Sequence, residues 1–78
     1  MKQKFYETTD LALVAYLKLH EFVIQDIQRK DGRAIFILKE RPNREKLIRE
    51  FYNDTTRVPP LKFWNSIGDM KSLLYNYR

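Results

Sequence analysis

The 78-residue sequence contains no cysteine, one histidine and only two glycines. Without cysteine the chain has no disulfide bond and no thiolate ligand for zinc or an iron–sulfur cluster. A lone histidine, His20, offers little to a metal site or a catalytic triad, and the isolated Gly32 and Gly68 form no phosphate-binding loop. The carboxylates are scattered, without metal-ligand spacing. We therefore expect a protein that is not an enzyme, with no cofactor, no catalytic residues and no metal site.

Long apolar runs are also missing. The longest, from Leu11 to Leu17, has seven residues, whereas a helix that crosses a bilayer needs about 20. The amino-terminal MKQKFYETTD is charged but has no apolar segment of the kind found in a secretory signal. The length fits a single domain, residues 1–78, with one modest core. We therefore expect a cytoplasmic protein that has no membrane partner.

The pattern of β-branched and aromatic residues predicts three strands. Phe22–Arg29 and Arg33–Glu40 flank an Asp-Gly pair, which favours the type I′ turn of a β-hairpin. Lys4–Thr8 is short and aromatic, and we expect it at a sheet edge. The segment RAIFILKE is apolar on both faces, so it should lie inside the sheet, with helices on one face and something else on the other.

Three other segments have helical periodicity. The segment DLALVAYLKLH follows three N-cap candidates, Thr8, Thr9 and Asp10, and is so apolar around its circumference that it should be covered on several sides. NREKLIREFYND has a narrow apolar stripe. From Pro60 to Tyr77, apolar residues recur at steps of three and four, and we expect this to be the central helix, with Trp64 in the core. The order β-α-β-β-α-α predicts an α+β fold, a small antiparallel sheet packed by three helices.

Positive charge is concentrated in the central third of the chain. Residues 29–49 contain eight basic and three acidic residues, so this segment carries the whole net charge of +5. A basic surface attracts the phosphates of DNA or RNA without reading sequence. A plain solvated face is the alternative, because the helical part of the segment mixes both signs. The candidate nucleic-acid-binding residues are Arg29, Lys30, Arg33, Arg41, Arg44, Lys46 and Arg49.

Eleven aromatic residues form a second group of candidates. Most should lie in the core, but Tyr6, Tyr75 and Tyr77 are expected to be exposed, and tyrosine is enriched at protein interfaces. A strand that is apolar on both faces also has reason to bury its second face against a partner. These residues favour a protein interface, either with a second copy of the chain or with another protein.

The segments TTDLALVAYL, DGRAIFIL and FYNDTTRVPPLKFWNSIGDMKSLLYN carry a resemblance that covers nearly the whole chain. The sequence resembles a family of small phage and prokaryotic proteins known as a domain of unknown function. The resemblance implies a viral or mobile-element setting and supplies no activity and no site residues. The family pattern has glycine where Glu21 stands, which implies a different turn after the first helix here.

These observations predict a small non-enzymatic binding domain associated with a phage or mobile element. It would contact nucleic acid or a nucleoprotein through residues 29–49. The alternative is a protein-interaction module, namely a homodimer or a phage factor that binds or inhibits a host protein.

Overall fold

Three strands and three helices follow one another in the order β-α-β-β-α-α, which confirms the predicted α+β fold. The structure is a computed structural model that describes residues 4–76. The elements are β1 (Phe5–Thr8), α1 (Leu11–Leu19), β2 (Ile24–Lys30), β3 (Arg33–Lys39), α2 (Arg44–Tyr52) and α3 (Pro60–Asn76).

The strand β3 lies in the middle of the sheet, as its two apolar faces predict. The sheet order is β1-β3-β2, and β3 is antiparallel to both neighbours. The hairpin turn has φ values of 53° at Asp31 and 78° at Gly32, the two positive values that a type I′ turn requires. Within residues 4–76, β1 pairs with β3 and with no other strand, so its predicted place at the sheet edge is also confirmed.

The two faces of the sheet have different surroundings. Ile27, Phe36 and Leu38 share one face and are buried beneath the helices. Because side chains alternate along a strand, the opposite face carries Ile35 and Ile37, which are half-buried. We call this second face the open sheet face; its members are Phe5, Glu7, Asp26, Gln28, Lys30, Arg33, Ile35, Ile37 and Lys39.

The helix α1 is the centre of the fold. All five residues from Leu13 to Leu17 are buried, as expected for a helix covered on several sides. The helix α3 packs against α1, and the Ser66 hydroxyl donates a hydrogen bond of 2.8 Å to the Ala15 carbonyl oxygen. The expectation that α3 is the central helix is wrong, because α3 contributes one face to the core. Among residues 4–76 no helix is long and apolar enough to cross a membrane.

Asp10 joins the start of α1 to the end of α2. Its carboxylate accepts a hydrogen bond of 3.1 Å from the Leu13 amide, which caps the helix, and one of 2.6 Å from the Tyr52 hydroxyl. The hydrogen bond to Asp10, followed by burial, raises the pKa of Tyr52 to about 12. One of the three predicted N-caps is thus the cap, and it also holds two helices together.

The helices α1 and α2 end in the same motif although neither is followed by glycine. Beyond each helix one residue takes a left-handed conformation, Glu21 with φ 66° and Asp54 with φ 58°. The next amide reaches back to a carbonyl in the last turn, from Phe22 to Leu17 at 3.2 Å and from Thr55 to Glu50 at 3.0 Å. These bonds define a Schellman motif. Contrary to the implied different turn, Glu21 takes the conformation that glycine favours.

Candidate functional site

Two of the candidate basic residues connect distant elements through backbone carbonyls. Arg29 on β2 donates a hydrogen bond of 3.1 Å from Nη2 to the Leu74 carbonyl oxygen near the end of α3. Arg41 donates one of 3.2 Å from Nη1 to the Glu21 carbonyl oxygen, and its guanidinium lies 5.7 Å from the centre of the Phe22 ring. Both guanidinium groups therefore have roles within the fold.

Arg44 is also engaged within the chain. Its guanidinium makes two short hydrogen bonds to the Glu40 carboxylate, of 2.9 and 2.8 Å, and lies 4.5 Å from the centre of the Tyr6 ring. The hydrogen bond from Arg44 lowers the pKa of Glu40, and the same bond raises the pKa of Arg44. Tyr6 is half-buried, so its predicted exposure is wrong because Arg44 covers part of its ring.

Lys30 and Arg33 form a pair across the hairpin at one end of the open sheet face, and both are exposed. Lys39 lies at the other end of β3, about 20 Å away at 3.3 Å per residue. Between these cations lie Ile35 and Ile37. The carboxylates of Glu7 and Asp26 flank Ile37, so the positive charge of this face lies at its two ends.

Lys46 and Arg49 are exposed on α2, in a helix that also presents Glu45 and Glu50. Neighbouring charges of both signs largely cancel beyond a few ångströms. Arg41 and Arg44 follow the end of β3 that is remote from the hairpin tip. The structure therefore brings Lys30 and Arg33 together at the hairpin and places Arg41 and Arg44 along one pocket that Glu40 and Glu45 also line. The seven candidate basic residues thus lie on separate parts of the surface.

The largest exposed apolar side chains of α3 lie along one face of that helix. Leu61 and Trp64 are each 70% exposed, and Tyr75 is 85% exposed. Together with Gly68 they are spaced by three, four and seven residues, which places them on a single face. We call this the α3 outer face. The opposite face, which includes Phe63, Ile67, Met70 and Leu74, packs into the core.

The α3 outer face differs in part from the predicted interface. Tyr75 is exposed as expected, and Tyr77 lies outside the described residues. Placing Trp64 in the core is wrong, because its side chain is exposed beside the stripe of Phe63, Ile67 and Met70 that packs into the core. The spacing of Trp64 relative to Leu61, Gly68 and Tyr75 was the sequence signal for this second stripe.

Two ionisable side chains, His20 and Tyr16, pack against each other at the end of α1. His20 forms the C-cap of α1, and its ring lies edge-on to Tyr16 with 4.7 Å between the ring centres. Burial, followed by the charge of Glu50, raises the pKa of Tyr16. Within residues 4–76 no three His, Asp or Glu side chains are grouped so as to hold a metal ion.

Comparison with known proteins gives one match. A family model described as a domain of unknown function, DUF5659, matches residues 3–76. No curated protein and no solved structure matches the chain.

Proposed function

Because the chain belongs to the DUF5659 family, whose function is unknown, we propose from the geometry that it is a protein-interaction module. Its binding surface is the α3 outer face. The observation that carries this proposal is the exposure of Leu61, Trp64 and Tyr75 on one side of a helix whose other side already packs into the core.

The exposed apolar area is large enough to matter. A whole aromatic side chain buries roughly 200 Å². With Trp64 exposed to 70%, a partner that covered it would remove about 140 Å² from water. At about 25 cal/mol per Å², that is about 3.5 kcal/mol of gross hydrophobic stabilisation. Exposed apolar patches of this kind mark interaction sites, and tryptophan is enriched among the residues that dominate binding energy.

The position of Trp64 allows a direct test. A photo-reactive amino acid would replace Trp64 in one variant and Lys46, an exposed residue of α2, in a control. We expect a discrete protein adduct in cells with the first variant and none with the control. The adduct partner, once purified, should bind the chain and lose about 30-fold in affinity with Trp64→Ala, the effect of a strong interface residue. Equal labelling at both positions, or an unchanged affinity, would overturn the proposal.

A second candidate function, nucleic-acid binding, is supported by the open sheet face. Lys30, Arg33 and Lys39 project from this face beside Ile35 and Ile37, and residues 29–49 carry the whole net charge. Three phosphate contacts give a salt exponent of about −2.7, so binding should weaken about 40-fold between roughly 50 and 200 mM salt.

This second function is tested with labelled single-stranded and duplex oligonucleotides by fluorescence polarisation. Lys30→Glu combined with Arg33→Glu should abolish binding, whereas Lys46→Glu with Arg49→Glu serves as the matched control on α2. Binding that is insensitive to salt, or equal loss in both double variants, would remove the open sheet face from consideration.

A further inference from the structure

We infer that the α3 outer face binds the same face of a second copy of this chain, with the two helices antiparallel and a two-fold axis beside Gly68. This inference rests on the proposed function and names the partner. Its basis is the arrangement of large and small residues about Gly68, together with the exposure of Leu61, Trp64 and Tyr75.

Gly68 is not explained by contacts with the rest of residues 4–76. Within that part of the chain, a Cβ atom built at Gly68 meets no other atom within 4 Å, so alanine would fit there in the single copy. Glycine in a helix interior is less stable than alanine. A second helix that approaches the backbone closely at Gly68 gives this residue a packing role that the isolated domain does not.

The spacing of residues on the outer face is self-complementary. Leu61 lies seven residues before Gly68 and Tyr75 seven residues after it, so an antiparallel two-fold arrangement places Leu61 of each copy beside Tyr75 of the other. Trp64 lies four residues before Gly68 and Ser72 four residues after it. Each large side chain before Gly68 in one copy thus lies level, along the helix axis, with a residue after Gly68 in the other copy.

Trp64 also has a suitable recess to enter. In packed helices a side chain fits between four residues of the neighbour spaced at i, i+3, i+4 and i+7. At the height of Trp64 these four are Gly68, Lys71, Ser72 and Tyr75 of the second copy. Two of them are small, which leaves room for the indole, and the Lys71 ammonium can lie against the ring as a cation–π pair. A parallel arrangement would instead bring the two Trp64 rings to the same height.

The available area suits a weak dimer. At roughly 200 Å² for a whole aromatic side chain, Trp64 and Tyr75 expose about 300 Å² per copy, given their exposed fractions. Leu61 adds roughly 80 Å², so two copies would bury about 800 Å² from these side chains. A stable interface buries about 1,200 to 2,000 Å² in total, so the smaller area from these side chains predicts a weak, concentration-dependent dimer.

Sedimentation equilibrium of the purified chain from about 1 to 500 µM tests the inference, because dissociation constants in this range become visible there. We expect a monomer–dimer equilibrium, with the fluorescence emission of Trp64 shifting to shorter wavelength as the dimeric fraction rises. Trp64 is the only tryptophan, so the emission reports on this face alone. Gly68→Gln should weaken the dimer at least 30-fold without lowering monomer stability, whereas Lys46→Gln should leave association unchanged.

The helix orientation is tested by crosslinking, since the native chain has no cysteine. Mixing equal amounts of differently tagged Leu61→Cys and Tyr75→Cys variants with a short bis-maleimide should give mixed product well beyond the roughly twofold excess over either self-product that random pairing produces. A mixed product at or below that random ratio would overturn the antiparallel arrangement. A chain that stays monomeric to about 500 µM while photo-crosslinking at position 64 captures another protein would overturn the second copy as partner and leave the proposed function standing. Failure of both experiments would overturn both.

Discussion

Replacing Glu21 by glycine should stabilise the domain, although it removes a charged side chain and adds flexibility. Glu21 has φ 66° in the Schellman motif that ends α1. A non-glycine residue in this conformation is less stable by roughly 1–2 kcal/mol. Glycine lowers folding stability by about 0.4–1 kcal/mol because it has more freedom in the unfolded chain. The balance predicts a gain of about 0.5–1 kcal/mol in the free energy of unfolding.

The gain is measurable in so small a domain. For 60–100 residues, 1 kcal/mol shifts the melting temperature by about 4–8 °C, so the expected increase is about 2–8 °C by calorimetry or circular dichroism. The Arg41 hydrogen bond is retained because it ends on the Glu21 carbonyl oxygen.

Two variants separate the backbone effect from other causes. Glu21→Ala removes the carboxylate but keeps the left-handed penalty, so its stability should stay near that of the native chain. Lys18→Gly, at an exposed position inside α1, should lose about 1 kcal/mol. If Glu21→Gly is neutral or destabilising while Glu21→Ala behaves the same way, the reasoning from backbone conformation is refuted.

Three further predictions concern contacts that join elements. Tyr52→Phe should lose about 1 kcal/mol near neutral pH because the Asp10 hydrogen bond disappears. Since the Tyr52 pKa is raised to about 12, this stabilisation is complete below the ordinary tyrosine value of about 10 and is lost as pH rises through the folded value. Ultraviolet titration of the variant should lack one phenol that ionises near pH 12. Glu40→Gln should cost at most about 1 kcal/mol at neutral pH; because Arg44 lowers the Glu40 pKa, this difference should fade in denaturation curves as pH falls below about 4. Phe36→Ala, at a side chain only 1% exposed, should lose about 3–5 kcal/mol in urea unfolding, and a loss below 1 kcal/mol would contradict its place in the core.

Features with a local cause could be predicted from the sequence. The Asp-Gly turn, the Asp10 cap and the apolar faces of β3 follow from residue type and spacing, and the structure contains all three. The sequence predicted that α1 is covered on several sides but not that it is the centre of the fold. An apolar circumference shows that a helix is covered, but it does not show which neighbours cover it. The periodicity of α3 predicted the stripe that packs on α1. It did not predict the exposed stripe, because Trp64 was assigned to the core.

The contacts of the basic residues could not be predicted from the sequence. Arg29 and Arg41 donate to backbone carbonyls 45 and 20 residues away, and every residue of a protein carries such a carbonyl. No pattern of residue types identifies that kind of partner. The distribution of charge along the sequence therefore predicts a basic segment. Only the folded geometry distinguishes guanidinium groups that bond to other parts of the chain from those available to bind a ligand.

The sheet order also constrains how the chain assembles. The strands β1 and β2 are joined by α1, but β3 lies between them. Since hairpins form within microseconds and distant segments must first overcome loop-closure entropy, we expect β2 and β3 to pair early and β1 to dock last on the free edge of β3. The turn formed by Asp31 and Gly32, which both have positive φ, would then affect how fast the domain folds. The strand β1 would be the first part of the sheet to detach during unfolding.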